Sequence, residues 1–197
     1  VDKTEMIRFL NSIVKTKQKI VCVSRPRRFG KTMAADMICA YYDRETDSKP
    51  MFEKLMLANK CCYENKQNWD IYLGKFDVLR FVITDFMSGC NSVSAMIQNL
   101  TDEISEDILE KYPEIKSDKQ LNLRSILNKI YGKTKRQFVI VIDEWDAVFR
   151  IWKNNKEEYT KYLDFLRDLL KDRPYVALAY MTGILPIKKY GQHSALN

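Results

Sequence analysis

Histidine is almost missing from these 197 residues. His193 stands alone in a polar C-terminal stretch, where it reads as a surface or structural residue, so a cysteine–histidine catalytic pair is a poor reading. The five cysteines, Cys22, Cys39, Cys61, Cys62 and Cys90, are odd in number and show no C-x-x-C spacing. That argues against a disulfide framework and a cysteine zinc site, and makes the cytoplasm the natural compartment. No secretory core is present, and no apolar run approaches the ~18 residues a membrane span needs, so no membrane partner is expected. Internal repeats and low-complexity tracts are also missing.

What remains is a composition 46% hydrophobic with a net charge of +7. The length suits one sizeable α/β core and is too short for a second full domain. Basic residues are interleaved with acids, as in Lys153 to Lys161. Such a balance reads as a solvated surface plus a phosphate site rather than a nucleic-acid stripe. The local exception is the trio Arg25, Arg27 and Arg28.

Periodicity organises the chain into alternating elements. Met6, Phe9, Leu10, Ile13 and Val14 recur at helical spacing, predicting an amphipathic helix over 5–14 begun by Asp2 or Thr4. A strand is predicted over 19–24 and a helix over 33–42, then a polar turn and a short apolar piece around 52–58. Residues 59–75 read as a loop insertion anchored by Trp69 and Tyr72. A second strand is expected over 77–86, helices over 92–112 and 121–131, and a basic, turn-like stretch over 128–136. Phe138 to Ile142 reads as a buried parallel strand. A charged helix over 156–171 follows, with Tyr159, Tyr162, Leu163, Leu166, Leu169 and Leu170 on its buried face. Pro174 closes it before a fourth strand over 175–185. Strands alternating with helices predict a parallel sheet with right-handed crossovers, whose ligands bind beyond the carboxyl ends of the strands.

Chemistry gathers at that edge. The stretch I-V-C-V-S-R-P-R-R-F-G-K-T, Ile20 to Thr32, runs a β-branched strand into Gly30-Lys31-Thr32 and then a helix. This is the layout of a phosphate-binding loop, in which backbone N–H groups wrap the phosphates, a lysine reaches their outer oxygens and a Ser or Thr hydroxyl holds Mg²⁺. Lys31 and Thr32 fit those roles, while Arg25 stands where the usual pattern has its first glycine. Pro26 fixes φ and partly offsets the lost flexibility. A lysine opening a helix is unfavourable without an anion, since the aligned N–H groups already carry partial positive charge. The buried strand ends in Asp143-Glu144, which resembles a Walker B pair: Asp143 would order the hydrated Mg²⁺ and Glu144 would polarise the attacking water. Thr182-Gly183 reaches the same edge from the fourth strand. Three strands delivering polar groups to one edge predict a nucleotide-triphosphate site. Arg25, Arg27 and Arg28 could stabilise phosphoryl charge, contact nucleic acid, or pair with surface carboxylates. Asp146 could hold Arg27, Arg28 or metal waters, or cap a helix. Trp145 reads as packing rather than base stacking.

At R-P-R-R-F-G-K-T the sequence resembles the AAA-ATPase-like domain found at the N-terminus of many bacterial proteins that carry a PD-(D/E)xK nuclease-like domain further on. Val1-Asp2-Lys3-Thr4 is similar to that family's opening V-D-K-T, Asp143-Glu144-Trp145-Asp146 to its D-E-[YW]-D, Met181-Thr182-Gly183-Ile184 to its T-G-[IV], and Ser194-Ala195-Leu196-Asn197 to its S-x-L-N. Arginine at position 25 is normal among those relatives. The resemblance implies an α/β P-loop NTPase of the additional-strand type, with the fourth strand between the first and third and Thr182 sensing the γ-phosphate.

It also implies one domain over residues 1–197, truncated at both ends, that uses ATP and Mg²⁺ and regulates an attached C-terminal effector. ATP over GTP rests on the resemblance alone, there being no N-K-x-D motif. The expected nucleotide-binding residues are Arg27, Arg28, Phe29, Gly30, Lys31 and Thr32, with Thr32 and Asp143 at the metal and Glu144 and Thr182 in catalysis. Whether the domain hydrolyses ATP or acts as a non-hydrolysing switch stays open, and nucleic-acid binding is a further alternative. A truncated edge beside Ile20 and Val21 predicts self-association. Glu114-Ile115-Lys116, with Asp107 before it, imitates half of the nuclease motif but follows Pro113 in a polar stretch on no strand.

Overall fold

The β-branched runs are strands and the periodic stretches are helices in the computed structural model, which describes residues 2–59, 68–115, 122–153 and 155–186. In chain order the elements are α1 (Glu5–Ile13), β1 (Ile20–Ser24), α2 (Lys31–Tyr42), α3 (Lys49–Phe52), β2 (Asp77–Val82), α4 (Val93–Lys111), α5 (Leu123–Thr134), β3 (Phe138–Asp143), α6 (Ala147–Ile151), α7 (Lys156–Leu170) and β4 (Val176–Gly183). Cys61, Cys62, Lys116, His193 and the Ser194 to Asn197 motif lie outside the described residues.

All strand pairs are parallel, in the order β1-β4-β3-β2. β4 therefore lies between β1 and β3, as the resemblance implied. Parallel strands require crossovers, and helices packed on both faces explain why every residue of β3 and β4 is buried. The period of two divides the sheet's side chains. Val139, Val141, Leu178 and Tyr180 pack with Ile7, Leu10, Ile38 and Tyr41 of α1 and α2. Ile140, Ile142, Ala179 and Met181 pack with Leu100, Ile126, Leu127 and Leu166 of α4, α5 and α7. Trp69 and Tyr72 are half-buried against the first of these clusters, and the Trp69 carbonyl accepts from the Tyr41 hydroxyl. No helix among the described residues is long and apolar enough to cross a membrane.

Local chemistry sets most helix ends. Ser92, Asn122 and Asn155 accept backbone N–H groups at the starts of α4, α5 and α7, each cap being worth about 1 kcal/mol. Thr4 precedes α1 but its side chain does not cap the helix; instead its N–H and hydroxyl both donate to Asp2. Three boundaries depart from expectation by two residues or more for a reason visible in the structure, and one short helix was not expected. β2 stops at Val82, not Phe86, because its partner Asp143 is the last residue of β3 and no ladder continues beyond it. Phe86 and Met87 instead enter the α4-side core through a short 3₁₀ turn. The basic stretch 128–136 is helix up to Thr134, since Ile126, Leu127 and Ile130 anchor one buried face and left-handed Lys135 stops it. α2 begins at Lys31, two residues before the expected start. α6 escaped the periodicity, being too short to display one.

Candidate functional site

The carboxyl edge of the sheet brings the three polar segments together. Beyond β1, the Arg25 N–H donates to the Gly183 carbonyl at 3.0 Å, extending the β1–β4 pairing into the loop. Arg28 and Gly30 both take left-handed φ, +67° and +68°. Left-handed residues of this kind turn successive N–H groups toward one side and form anion-binding concavities. The Lys31 ammonium donates to the Pro26 carbonyl at 3.0 Å, spanning the loop from its last limb to its first. α2 has no side-chain cap and no acid in its first turn, so its leading N–H groups remain available to an anion. Arg25, Arg27, Arg28 and Phe29 are exposed, and none of the three arginines joins an ion pair among the described residues.

The acid side is built differently. Asp143 is buried; its Oδ2 accepts the Thr32 hydroxyl at 2.9 Å and its Oδ1 the Glu144 N–H at 2.9 Å. The first contact ties the loop helix to the tip of β3 across 111 residues of sequence. Glu144 sits at φ +51°, an uncommon conformation for a residue with a side chain, and its Oε2 meets Arg150 at 3.1 Å. Arg150 also pairs with Asp146 at 3.2 Å. Asp146 is wholly buried, and its Oδ2 accepts the N–H groups of Ile184 and Leu185 at 3.1 and 2.9 Å. The partner of Asp146 is thus Arg150 rather than Arg27 or Arg28. Trp145 is buried as packing, its carbonyl accepting the Tyr162 hydroxyl. A Cβ on Gly183 would lie 2.6 Å from Asp146 Oδ1 and 2.8 Å from the Trp145 ring, which makes glycine a steric requirement there.

Thr182 lies in register with Val23 on one side and Asp143 on the other. Its hydroxyl is buried without a hydrogen-bond partner, a costly state that a ligand oxygen would relieve. Burial, and then the nearby Asp143, push the neighbouring Tyr180 phenol up to about 12.

No group of three acidic, histidine or cysteine side chains that could hold a metal gathers among the described residues. One carboxylate beside one hydroxyl is still a fitting donor set for Mg²⁺, which retains waters and takes other oxygens from substrate phosphates. Two residues of the site were not legible beforehand. Arg150 lies on a helix too short to reveal a face. Lys3 places its ammonium 2.8 Å from the Phe29 carbonyl; the V-D-K-T motif signalled only likeness, with no hint that it meets the loop.

Comparison with curated proteins returns no match. A family model described as predicted AAA-ATPase matches residues 1–192. With a parallel sheet whose fourth strand separates the loop from the acids, this match means that the chain belongs to the AAA-ATPase-like family and is a nucleotide-binding, ATPase-like domain.

Proposed function

We propose that the chain binds ATP with Mg²⁺ and hydrolyses it, and that the state of this site regulates an attached or partner effector domain of the nuclease-like kind. The observation that carries the reading is the Thr32 to Asp143 hydrogen bond. It joins a lysine-bearing loop at a helix start to a buried acid, the pairing that a phosphate-bound divalent cation requires. In this reading the backbone from Arg27 to Thr32 cradles the phosphates and Lys31 neutralises their outer oxygens. Thr32 and Asp143 would hold Mg²⁺, which when bound screens the triphosphate charge and stabilises the leaving diphosphate. Glu144 orients a water and takes its proton as the water oxygen bonds to the γ-phosphorus and the bond to the β–γ bridging oxygen breaks. The Thr182 hydroxyl donates to a γ-phosphate oxygen, and Arg27 or Arg28 offsets the charge of the transferring group. The left-handed Glu144 supports the assignment, since backbone strain of this kind clusters where function positions a side chain.

Lys31→Ala is expected to abolish ATP binding while the domain stays folded, and undiminished affinity would remove the proposal. A second reading, a switch that binds but does not hydrolyse, is favoured by one feature: the Glu144 carboxylate is already engaged by Arg150. Phosphate release from the wild type and from Glu144→Gln separates the two. Turnover lost in the variant supports hydrolysis, and equal background release in both supports the switch.

A further inference from the structure

Lys3 sits on the phosphate loop although it lies 26 residues from its contact there. Its neighbours hold it in place. Asp2 accepts the Thr4 N–H and hydroxyl through Oδ1 and the Met56 N–H through Oδ2. Buried Thr4 accepts the Leu57 N–H. The Asp2 carboxylate is thereby committed to the chain on the far side, and Lys3 pairs with no carboxylate among the described residues. Its exposed ammonium rests instead on the neutral Phe29 carbonyl, using one of three donors. Gly30 leaves room for it, since a Cβ there would lie 2.9 Å from the Lys3 nitrogen. An exposed cation gains little from one carbonyl, yet the hydrogen bonds of Asp2 and the buried Thr4 on either side hold its backbone beside the uncapped start of α2, where an anion would sit.

We propose that Lys3 is a second phosphate-binding lysine of the nucleotide site, donating to a polyphosphate seated on the loop. The inference rests on the ATP reading above and deepens it. Mg²⁺-ATP affinity is measured by calorimetry for the wild type and for Lys3→Met, Lys3→Arg and Lys31→Ala, from low salt to about 1 M. Lys3→Met should weaken ATP binding about tenfold at low salt, the scale of one hydrogen bond to a charged group. Its apo melting temperature should stay at the wild-type value, because the side chain is exposed. Lys3→Arg should restore most of the affinity, and the gap between wild type and Lys3→Met should narrow as salt screens the charge. Unchanged affinity in Lys3→Met overturns the proposal. So does a gap that persists undiminished at high salt with no rescue by arginine, which would make Lys3 a brace of the loop backbone. If the wild type and Lys31→Ala both fail to bind, or bind alike, the ATP reading itself falls, a result distinct from either.

Discussion

The two halves of the site face each other across β4 and are made to opposite specifications. The loop from Arg25 to Phe29 is exposed, rich in cations without carboxylate partners among the described residues, and held by lysine-to-carbonyl contacts at Pro26 and Phe29 and by the Arg25 N–H on Gly183. Opposite it, Asp143, Asp146, Trp145 and Gly183 are buried, and Arg150 clasps two carboxylates at once. The contrast follows from what each half would have to do. A loop whose charge is uncompensated waits for a ligand to supply the counter-charge, whereas carboxylates that must aim a cation and a water gain by being fixed before the ligand arrives. The Thr32 side chain bridges the halves.

Mutations should therefore cost stability on the acid side and mainly binding on the loop side. The largest effect is expected from Asp146→Ala, which leaves the part-buried N–H groups of Ile184 and Leu185 without their acceptor and takes from Arg150 one of its two carboxylates. Urea denaturation should show a loss of about 3 kcal/mol, and a loss below about 1 kcal/mol would break the comparison. Gly183→Ala comes next, at about 2 kcal/mol, because Asp146 and Trp145 are themselves locked and cannot yield to the added methyl group. Arg150→Lys keeps the charge but loses the planar fork that meets both carboxylates. Steady-state kinetics should show kcat falling about tenfold with KM for ATP little changed, the pattern of a lost transition-state interaction.

On the loop side the sign reverses. Arg28→Gly relieves a left-handed residue and should stabilise the apo protein by about 1 kcal/mol in the same urea assay, so a clear loss of stability would show the loop to be as braced as the acids. The smallest effect concerns acid. Burial acts to raise the Asp2 carboxyl, but the hydrogen bonds from Met56 and Thr4 outweigh it and hold the group below its usual value. Its contribution is therefore fully present above about pH 4 and is lost as pH falls through the lowered value. Asp2→Asn should flatten the acid limb of melting temperature against pH, and an unchanged limb would show that Asp2 does not anchor Lys3 through its charge.

Much of this arrangement could be read along the chain. The strands read over 19–24, 138–142 and 175–185 are there within two residues at each end, and the one read as buried, from Phe138 to Ile142, is buried throughout, because apolar and β-branched runs of that length fit a sheet covered on both faces. Lys31, Thr32, Asp143 and Thr182 follow from where those strands end. Ser92 and Pro174 mark boundaries through chemistry confined to a few residues. The place of β4 between β1 and β3 came from likeness to a family, since no local pattern encodes strand order. Misplaced boundaries fell where a neighbour decided the outcome: β2 ends because β3 does, and α5 continues because Ile130 has a core to enter.

The sequence by itself determined the fold class, the edge of the sheet where polar groups collect, and the loop and acid pair as the candidate site there. Periodicity, turn residues and helix starts are recorded within a few residues of where they act. Only the tertiary structure decided that Arg150 holds both Glu144 and Asp146, that Glu158 accepts the N–H of Val93 at the start of α4, and that Lys3 lies on Phe29. Such pairings depend on how helices and loops pack over one another in space. Side chains that meet through packing carry no spacing that the chain could display.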